Sequence, residues 1–505
     1  MTLSRRTVLG GLLALAAQPA SALGELVTGE APFSFDWLKG EAERLSKIPY
    51  SPMPQVPKAW RDLSYDQFRK IWFNTHKAIW ADEPRPLQVD LLPAGVYFDR
   101  PVDVSIVKGG IAQTLGFDIS LFDKTDKFPM DLPLEGMGYS GLRLRTELNK
   151  RGIFEEFMVF QGASYFRAIA NGQTYGLSAR GLAIGTGDRD GEEFPDFRAY
   201  WVEAPAPEDD YFVVHALLDG PSITGAYSFM IRPGAPTEVS VAATLYPRVD
   251  LDNAGLAPLT SMFLFDETNR HRFDDFRPSV HDSEGLMVWN GNGERIWRPL
   301  ANHNSLQISA FVDETPQGFG LMQRAREVRD FADFEARYEN RPSLWITPEG
   351  DWGKGYVRLI EIPADREIYD NIVAYWVPRE PMIAGQSVDF AYKMTWGETP
   401  VGIPNVAAVT NTRIGKGFDQ VKTVVTIDYE DHPALEGDLD DVTIHVGASR
   451  GPVSDGILQR NPGTGGARLA FSFVPGEKRA IEFRAQLLRD GKTVTEVWLY
   501  RWTAG

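Results

Sequence analysis

Hydrophobic and polar residues alternate along most of the chain beyond about residue 100. Segments such as Val102–Val107, Thr237–Val241 and Ser387–Tyr392 place apolar side chains at roughly every second position, which is the period of a strand with one buried face. Turn pairs such as Asn171-Gly172 and Asp490-Gly491 separate these runs at hairpin positions. The pattern predicts an all-β protein.

Helical patterns are a minority and lie near the start of the chain. One runs from Asp36 to Lys47. A second begins at Ser64, where Ser64 and Gln67 have the spacing of a capping box before Phe68, Ile71 and Trp72.

Turn and breaker residues interrupt the strand pattern between 397 and 405. We therefore predict a large β-sandwich over residues 23–396, a linker over 397–405 and an immunoglobulin-like domain over 406–505. A division of the large part around 250–260 is the alternative, because it exceeds the usual size of a single all-β domain. The strands predicted for the C-terminal part are Thr423–Tyr429, Val442–Val446, Arg468–Val474, Ala480–Leu487 and Thr493–Trp502.

The first 22 residues have the pattern of a twin-arginine export signal. Arg5 and Arg6 precede a short Ala/Leu-rich stretch, and Ala20-Ser21-Ala22 resembles a cleavage site. The apolar stretch is shorter than the roughly 20 residues that a membrane span requires. We expect the mature protein to be soluble and, in a Gram-negative cell, periplasmic.

Composition restricts the classes of function that remain. The 43% hydrophobic content favours a folded protein, and the absence of cysteine excludes a thiol nucleophile or thiolate metal site. A net charge of -17 disfavours nucleic acid and anionic membranes as partners. The 13 tryptophans serve either as core residues or as platforms for sugar rings. The histidines form no zinc-binding pair and no nucleotide fingerprint is complete, so we expect no metal or cofactor.

Two segments combine carboxylates with aromatic residues, namely Arg277–Pro299 and Pro342–Val373. Glycoside hydrolysis requires one protonated and one ionised carboxyl group, and a pair on an aromatic-lined cleft would provide them. Acids in turns also serve as caps, Asx turns and surface charges, so this pattern alone leaves both interpretations open.

The same segments resemble the osmoregulated periplasmic glucan biosynthesis family. The resemblance covers nearly the whole mature chain. The segments that resemble this family are Phe160–Ala168, Tyr175–Ala183, Arg277–Leu286, Gly291–Leu300, Pro342–Trp345, Asp351–Gly355, Glu361–Pro363 and Asp370–Trp376. The resemblance implies a galactose mutarotase-like β-sandwich followed by an immunoglobulin-like domain. It also implies β-1,2-linked glucan as the substrate.

The resemblance also implies roles for particular residues. Asp370 would be the general acid, and Asp282 the base that acts through water. In an inverting enzyme with one interposed water, two such carboxyls lie about 6.5–9.5 Å apart; a longer gap would require a relay of waters or a sugar hydroxyl. The residues expected to bind or tune the substrate are Glu367, Tyr369, Trp289, Trp297, Arg298, Trp352, Tyr165 and His281. His281, Arg277 or Arg298 would help to keep Asp282 ionised if they approached it. For each aromatic residue, core packing is the alternative.

Three functions fit these expectations. The first is an inverting endo-β-1,2-glucanase, the second a transglycosylase that branches or cyclises β-1,2-glucan on the same site, and the third a non-catalytic glucan-binding scaffold. The resemblance is also compatible with a homodimer. We expect β-1,2-glucan as the partner, with no nucleic acid and no membrane insertion.

Overall fold

The computed structural model describes residues 26–400, 402–476 and 480–504. In it, 46% of the chain is strand and 9% is helix, which confirms the all-β prediction. The predicted export signal lies outside the described residues. Within them, no helix is both long and apolar enough to cross a membrane.

The helices are short and lie mainly before the sheets. They are α1 (Phe35–Ser46), α2 (Lys58–Arg61), α3 (Tyr65–Phe68) and α4 (Val328–Phe331), with 3-10 turns at Thr75–Lys77, Ile119–Leu121, Arg270–Arg272, Tyr338–Asn340, Pro433–Leu435 and Leu439–Asp441.

Both predicted helices exist, although the second is shorter than expected. Ser34 caps α1 by accepting the N–H of Trp37, and the predicted capping box of Ser64 and Gln67 starts α3. The helix α3 ends after four residues. Ile71 and Trp72, expected on this helix, instead lie on a strand that pairs with residues 122–124, because long-range pairing overrides the local pattern.

The strands of the first half are β1 (Val27–Pro32), β2 (Ile71–Phe73), β3 (Gln88–Pro93), β4 (Asp103–Lys108), β5 (Ile111–Leu115), β6 (Phe122–Lys124), β7 (Tyr139–Thr146), β8 (Glu155–Gln161), β9 (Tyr165–Ala168), β10 (Ser178–Arg180), β11 (Leu182–Ile184), β12 (Asp196–Glu203), β13 (Phe212–Asp219), β14 (Ile223–Arg232), β15 (Thr237–Pro247) and β16 (Ala254–Ser261).

The strands of the second half are β17 (Phe263–Phe265), β18 (Val280–His281), β19 (Gly285–Trp289), β20 (Arg295–Pro299), β21 (Gln307–Glu314), β22 (Gly318–Met322), β23 (Ser343–Glu349), β24 (Lys354–Glu361), β25 (Ile372–Pro378), β26 (Val388–Gly397), β27 (Val409–Lys416), β28 (Thr423–Tyr429), β29 (Thr443–Ala448), β30 (Ile457–Arg460), β31 (Ala467–Phe473), β32 (Ala480–Arg489), β33 (Lys492–Thr493) and β34 (Val497–Thr503).

Two large sheets form the main body. The 16-stranded sheet has the order β1-β5-β4-β12-β13-β14-β15-β26-β23-β22-β19-β20-β34-β32-β29, with β33 beside β32. The 10-stranded sheet has the order β21-β24-β25-β16-β10-β9-β8-β7-β3, with β11 beside β16. Phe160 of the second sheet packs against Tyr200 and Phe229 of the first at ring distances of 5.6 and 5.3 Å. The sheets therefore enclose a common core, as in a β-sandwich.

The C-terminal part shares a core with the large sheet. A separate four-stranded sheet, β27-β28-β31-β30, lies with β29, β32 and β34 around buried residues such as Phe471 and Trp498. This core also contains Met287, Trp297 and Trp345 from the preceding part of the chain, and β34 pairs in parallel with β20. Four of the five predicted C-terminal strands are present, and the fifth, Thr493–Trp502, is divided into β33 and β34. The proposed domain limits stay a prediction.

Candidate functional site

The two candidate catalytic acids lie beside one short segment of main chain. Asp282 directly follows β18, and its N–H donates to the carbonyl of Met262 at 2.8 Å. Asp370 precedes Asn371, whose buried side chain accepts the N–H of Phe263 at 2.8 Å and donates to the carbonyl of Phe263 at 2.9 Å. Residues 262 and 263 thus fix the backbone next to both acids.

Asp282 is a buried carboxylate with one cationic partner. Its residue surface is 4% exposed, and Arg341 donates from Nη1 to its Oδ1. Burial raises the pKa of Asp282 to about 6; the charge of Asp370 acts in the same direction, while Arg341 opposes it. Asp282 is therefore mostly ionised at neutral pH, and Asp370 lies near enough to influence it.

Arg341 is held in place by aromatic and main-chain contacts. Its guanidinium lies 4.1 Å from the ring centroid of the buried Tyr338, and its Nη2 donates to the carbonyl of Ala336 at 3.1 Å. A Cβ at Gly176 would come within 2.9 Å of the Cβ of Arg341, so glycine at that position allows this close approach. These contacts orient the guanidinium towards Asp282.

Asp370 has a different environment from Asp282. It retains solvent-exposed surface, yet the protein atoms that crowd its carboxyl displace enough water to raise its pKa. The positive charges of Arg167, Arg180 and Arg341 oppose this shift. An accessible carboxyl with a raised pKa is suited to donate a proton to a bound substrate.

Tyr165 lies close to Arg180 and Asp370, and its role in substrate binding stays a prediction. The guanidinium of Arg180 lies 5.0 Å from its ring centroid. Burial raises the pKa of Tyr165, and the charge of Asp370 is among the other influences on it. The structure therefore brings Tyr165, Arg180 and Asp370 together.

Similarity to known proteins covers almost all of this chain. A model of the family described as "Periplasmic glucan biosynthesis protein, MdoG" matches residues 33–502. The chain belongs to this family. The finding confirms the resemblance noted in the sequence.

Relatives within the family are similar over most of their length. Glucans biosynthesis protein G of Shewanella sp. (strain ANA-3) is 46% identical over 491 residues, which cover 96% of this chain and 90% of that protein. The protein of the same name from Shewanella putrefaciens (strain CN-32) is 47% identical over 480 residues, which cover 94% of this chain and 88% of that protein.

A structural similarity is much weaker. A galactose mutarotase related enzyme from Lactobacillus acidophilus has a TM-score of 0.22 and 10% identity, with 53% of this chain and 93% of that chain covered. A TM-score this low does not show a shared fold. The galactose mutarotase-like architecture therefore stays a prediction.

Glu367 and Tyr369 lie on the exposed loop that leads to Asp370. Glu367 forms an ion pair with Nη1 of Arg277 at 2.7 Å, and the same guanidinium group contacts Asp333 and Asp275 at 2.8 Å each. Tyr369 is 50% exposed. In this family member Arg277 thus holds the loop through Glu367, whereas Arg341 pairs with Asp282.

His281 is buried directly beside Asp282. Its ring stacks on Phe263 at 5.5 Å, and its Nδ1 lies 2.9 Å from Oε1 of Gln323. Burial lowers the pKa of His281 to about 4, so the ring is neutral at pH 7. It contributes packing behind Asp282 instead of positive charge.

Four residues predicted to contact sugar make packing or ion-pair contacts within the protein. Trp297 is 3% exposed, and the guanidinium carbon of Arg324 lies 3.5 Å from its ring centroid. The buried Arg298 forms an ion pair from Nη2 to Oε2 of Glu361 at 3.0 Å. Trp289 packs against the C-terminal core. Trp352 packs against the main core and donates its indole N–H to the carbonyl of Ala391 at 3.2 Å. For the three tryptophans these contacts are those of the core-packing alternative, and sugar binding by any of the four residues stays a prediction.

Four further residues surround the two acids, and the sequence patterns predict no role for them: Tyr338, Arg341, Arg167 and Arg180. Arg167 and Arg180 lie inside segments that resemble the family, and Arg341 directly precedes Pro342 of another. Arginines within or next to these segments were thus a usable signal, since ionised carboxylates in a site require cationic partners.

A cavity lies next to Asp282, and neither acid lines it. It has a volume of about 660 Å³ and is lined by residues such as His281, Glu284, Arg324 and Val409. Burial raises the pKa of Glu284 to about 7, while its Oε2 accepts the N–H of Ala325 at 3.1 Å. This cavity lies between the large sheet and the C-terminal strands.

Proposed function

We propose that this protein is a periplasmic enzyme that cleaves β-1,2-glucan with inversion of the anomeric configuration. The observation that carries the proposal is the pairing of an accessible carboxyl of raised pKa, Asp370, with a buried, arginine-paired carboxylate, Asp282. Family membership supports glucan as the substrate. The resemblance in the sequence supports the β-1,2 linkage.

In the proposed reaction, the carboxyl of Asp370 donates its proton to the glycosidic oxygen as the bond from C1 to that oxygen breaks. A water molecule attacks C1 from the opposite face, and its proton passes to Asp282, either directly or through a relay. Solvent exchange then restores the proton to Asp370 and removes it from Asp282.

Contacts around Asp282 suggest which oxygen accepts the proton. Arg341 occupies Oδ1, so Oδ2 is the oxygen left for water or for a relaying hydroxyl. Arg341 also lowers the pKa of Asp282, which keeps the base ionised near neutral pH. We assign Arg341 and Tyr338 as residues that position this base.

Location in the periplasm belongs to the same proposal. It is supported by the twin-arginine pattern at Arg5 and Arg6 and by the description of the family. Replacing both arginines by lysine should retain the protein in the cytoplasm of a Gram-negative host, as cell fractionation would detect. Continued export of the doubly substituted precursor would exclude the twin-arginine route.

Product analysis separates the three candidate functions. The mature protein is incubated with linear β-1,2-glucan, and the products are examined by chromatography and mass spectrometry. Shorter linear chains support hydrolysis. Products that lack one water mass, or branched products, identify a transglycosylase. Tight binding without any product identifies a scaffold and contradicts the proposed cleavage.

A further inference from the structure

A second, smaller cavity adjoins the candidate site on the side of Tyr165. It has a volume of about 240 Å³, and its lining includes Tyr97, Phe98, Arg100, Gly162, Phe194 and Asp196. Three of these residues are aromatic and exposed, at 77% for Tyr97, 36% for Phe98 and 46% for Phe194. Exposed aromatic rings around a polar pair are the chemistry that binds the apolar faces and hydroxyls of a sugar.

One connection between this cavity and the acids passes through Arg180. Its guanidinium lies 5.0 Å from the ring of Tyr165 and 5.5 Å from the ring of Phe194. The same guanidinium influences the pKa of Asp370. Phe194 therefore belongs both to the wall of the cavity and to the surroundings of the candidate acid.

A second connection follows the main chain. Gly162 and Ala163 line the cavity, and Tyr165 follows two residues later. A Cβ at Gly162 would lie 2.8 Å from the ring of Phe98, so glycine allows Phe98 to pack directly on this loop. The N–H of Tyr165 donates to the carbonyl of Gly162 at 2.9 Å. This contact fixes the cavity wall relative to the site.

The aromatic side chains stand on firmly held backbone. Gly95 and Phe98 exchange two main-chain hydrogen bonds of 2.8 Å each, which places Tyr97 in a tight turn between them. Before Phe194, the N–H of Glu193 donates to the carbonyl of Ile184 at 3.0 Å. Preorganised aromatic residues of this kind bind a ligand at a low cost in conformational entropy.

A charged pair supplies the polar part of the cavity. Nη1 of Arg100 donates to Oδ2 of Asp196 at 3.0 Å, and the side chain of Arg100 is 46% exposed whereas that of Asp196 is 10% exposed. A guanidinium group has five N–H donors. The remaining exposed donors can bind sugar hydroxyls while the ion pair stays intact.

We propose that this cavity is an accessory glucan subsite, which binds glucosyl units of the same chain that is cleaved at Asp370. The inference rests on the proposed function for the identity of the ligand. It predicts that long chains gain affinity from the subsite and that chains too short to reach Tyr97 do not.

Binding measurements on a catalytically inactive background test this subsite. A series of linear β-1,2-glucooligosaccharides of increasing length is titrated into Asp370→Asn by calorimetry, with and without the additional change Tyr97→Ala. Tyr97 is suitable because it is exposed and is not one of the aromatic residues that contact Arg180, namely Tyr165 and Phe194. Loss of one aromatic contact should weaken the affinity for long chains by roughly 2- to 10-fold. The affinity for the shortest chains that bind should not change.

Phe418→Ala provides the matched control, because Phe418 is fully exposed on the C-terminal part of the protein. Equal affinity of long chains for the Tyr97→Ala and Phe418→Ala variants overturns the subsite, as does the absence of measurable binding at every length. The two proposals can also fail separately. If binding depends on chain length and on Tyr97 but the wild-type protein does not turn over β-1,2-glucan, the subsite is supported and the proposed cleavage is contradicted.

Discussion

The side chain of Asn371 bonds both main-chain polar groups of Phe263, at 2.8 Å to the N–H and 2.9 Å to the carbonyl. A third bond from its Nδ2 reaches the carbonyl of Ile362 at 3.0 Å. Asn371 thus fixes the position at which the loop with Asp370 joins β25. Because Met262 binds the backbone of Asp282, the same contacts set the two acids relative to each other.

Asn371→Ala should therefore reduce both stability and turnover. The change leaves the buried polar groups of Phe263 without their side-chain partner, and each unsatisfied group costs about 1–3 kcal/mol. Urea unfolding measures the stability, and initial rates on β-1,2-glucan measure the turnover. Asn253→Ala, at an exposed site that contacts Arg358, should change neither. Unaltered kinetics in Asn371→Ala would show that the contact does not position Asp370.

Asp370→Asn should lose turnover and keep most of its glucan affinity. The amide has nearly the same size as the carboxyl but cannot donate an acidic proton, so kcat should fall by roughly 10²- to 10⁴-fold. Asp365→Asn is the control, since Asp365 lies on the same loop with a side chain that is 80% exposed. Full activity in Asp370→Asn would exclude this residue as the general acid.

The pH dependence of kcat/KM should be bell-shaped. On the acid side, activity should fall as the proposed base Asp282, whose pKa burial raises to about 6, becomes protonated. On the alkaline side, activity should fall as Asp370, whose pKa is also raised, loses the proton that it donates.

A direct titration checks the coupling between these two groups. The charge of Asp370 raises the pKa of Asp282, so Asp370→Asn should lower it. Carbon NMR of labelled aspartate carboxyls in the wild type and the variant measures this shift. An unchanged or higher pKa of Asp282 in Asp370→Asn would contradict the electrostatic contact.

Arg341→Met should destabilise the protein more at pH 7 than at pH 5. Removing one partner of a buried ion pair costs about 3–5 kcal/mol, and the side chains of Arg341 and Asp282 are 19% and 6% exposed. Since Arg341 lowers the pKa of Asp282, its loss moves that pKa further above the unfolded value. The free energy of unfolding then falls over a wider pH range as the pH rises, so the loss is larger at pH 7 than at pH 5.

Unfolding curves at both pH values measure this effect. The double variant Arg341→Met with Asp282→Asn is the control, because it removes the unpaired charge and should recover much of the lost stability at pH 7. Equal losses at the two pH values, or no recovery in the double variant, would show that the ion pair is not the cause.

Much of the strand pattern could be predicted from local sequence. The segment Thr423–Tyr429 was predicted as a strand and coincides with β28, since its alternating residues match one buried face. For Trp297, the local sequence leaves sugar contact and core packing both open. It does not show that the opposing layer comes from residues more than a hundred positions later, which is why an aromatic core residue resembled a sugar contact.

The candidate site was predictable only where its residues lie within segments that resemble the family. Asp282, Asp370 and Tyr165 are of this kind, and the structure brings them into one cluster. The pairing of Asp282 with Arg341 spans 59 positions and depends on Tyr338 and Gly176 for its geometry. Contacts of this type arise from the tertiary fold, so no local spacing indicates them.

The most direct test of the account is the configuration of the newly formed reducing end. Linear β-1,2-glucan is cleaved by the wild-type protein in an NMR tube, and the anomeric signals are followed before mutarotation equilibrates them, with Asp370→Asn and Asp365→Asn run in parallel. We predict that the α-anomer appears first in the wild type and in Asp365→Asn, and that no signal develops in Asp370→Asn. Initial formation of the β-anomer, or equal rates in all three proteins, would contradict inverting catalysis by Asp370 and Asp282.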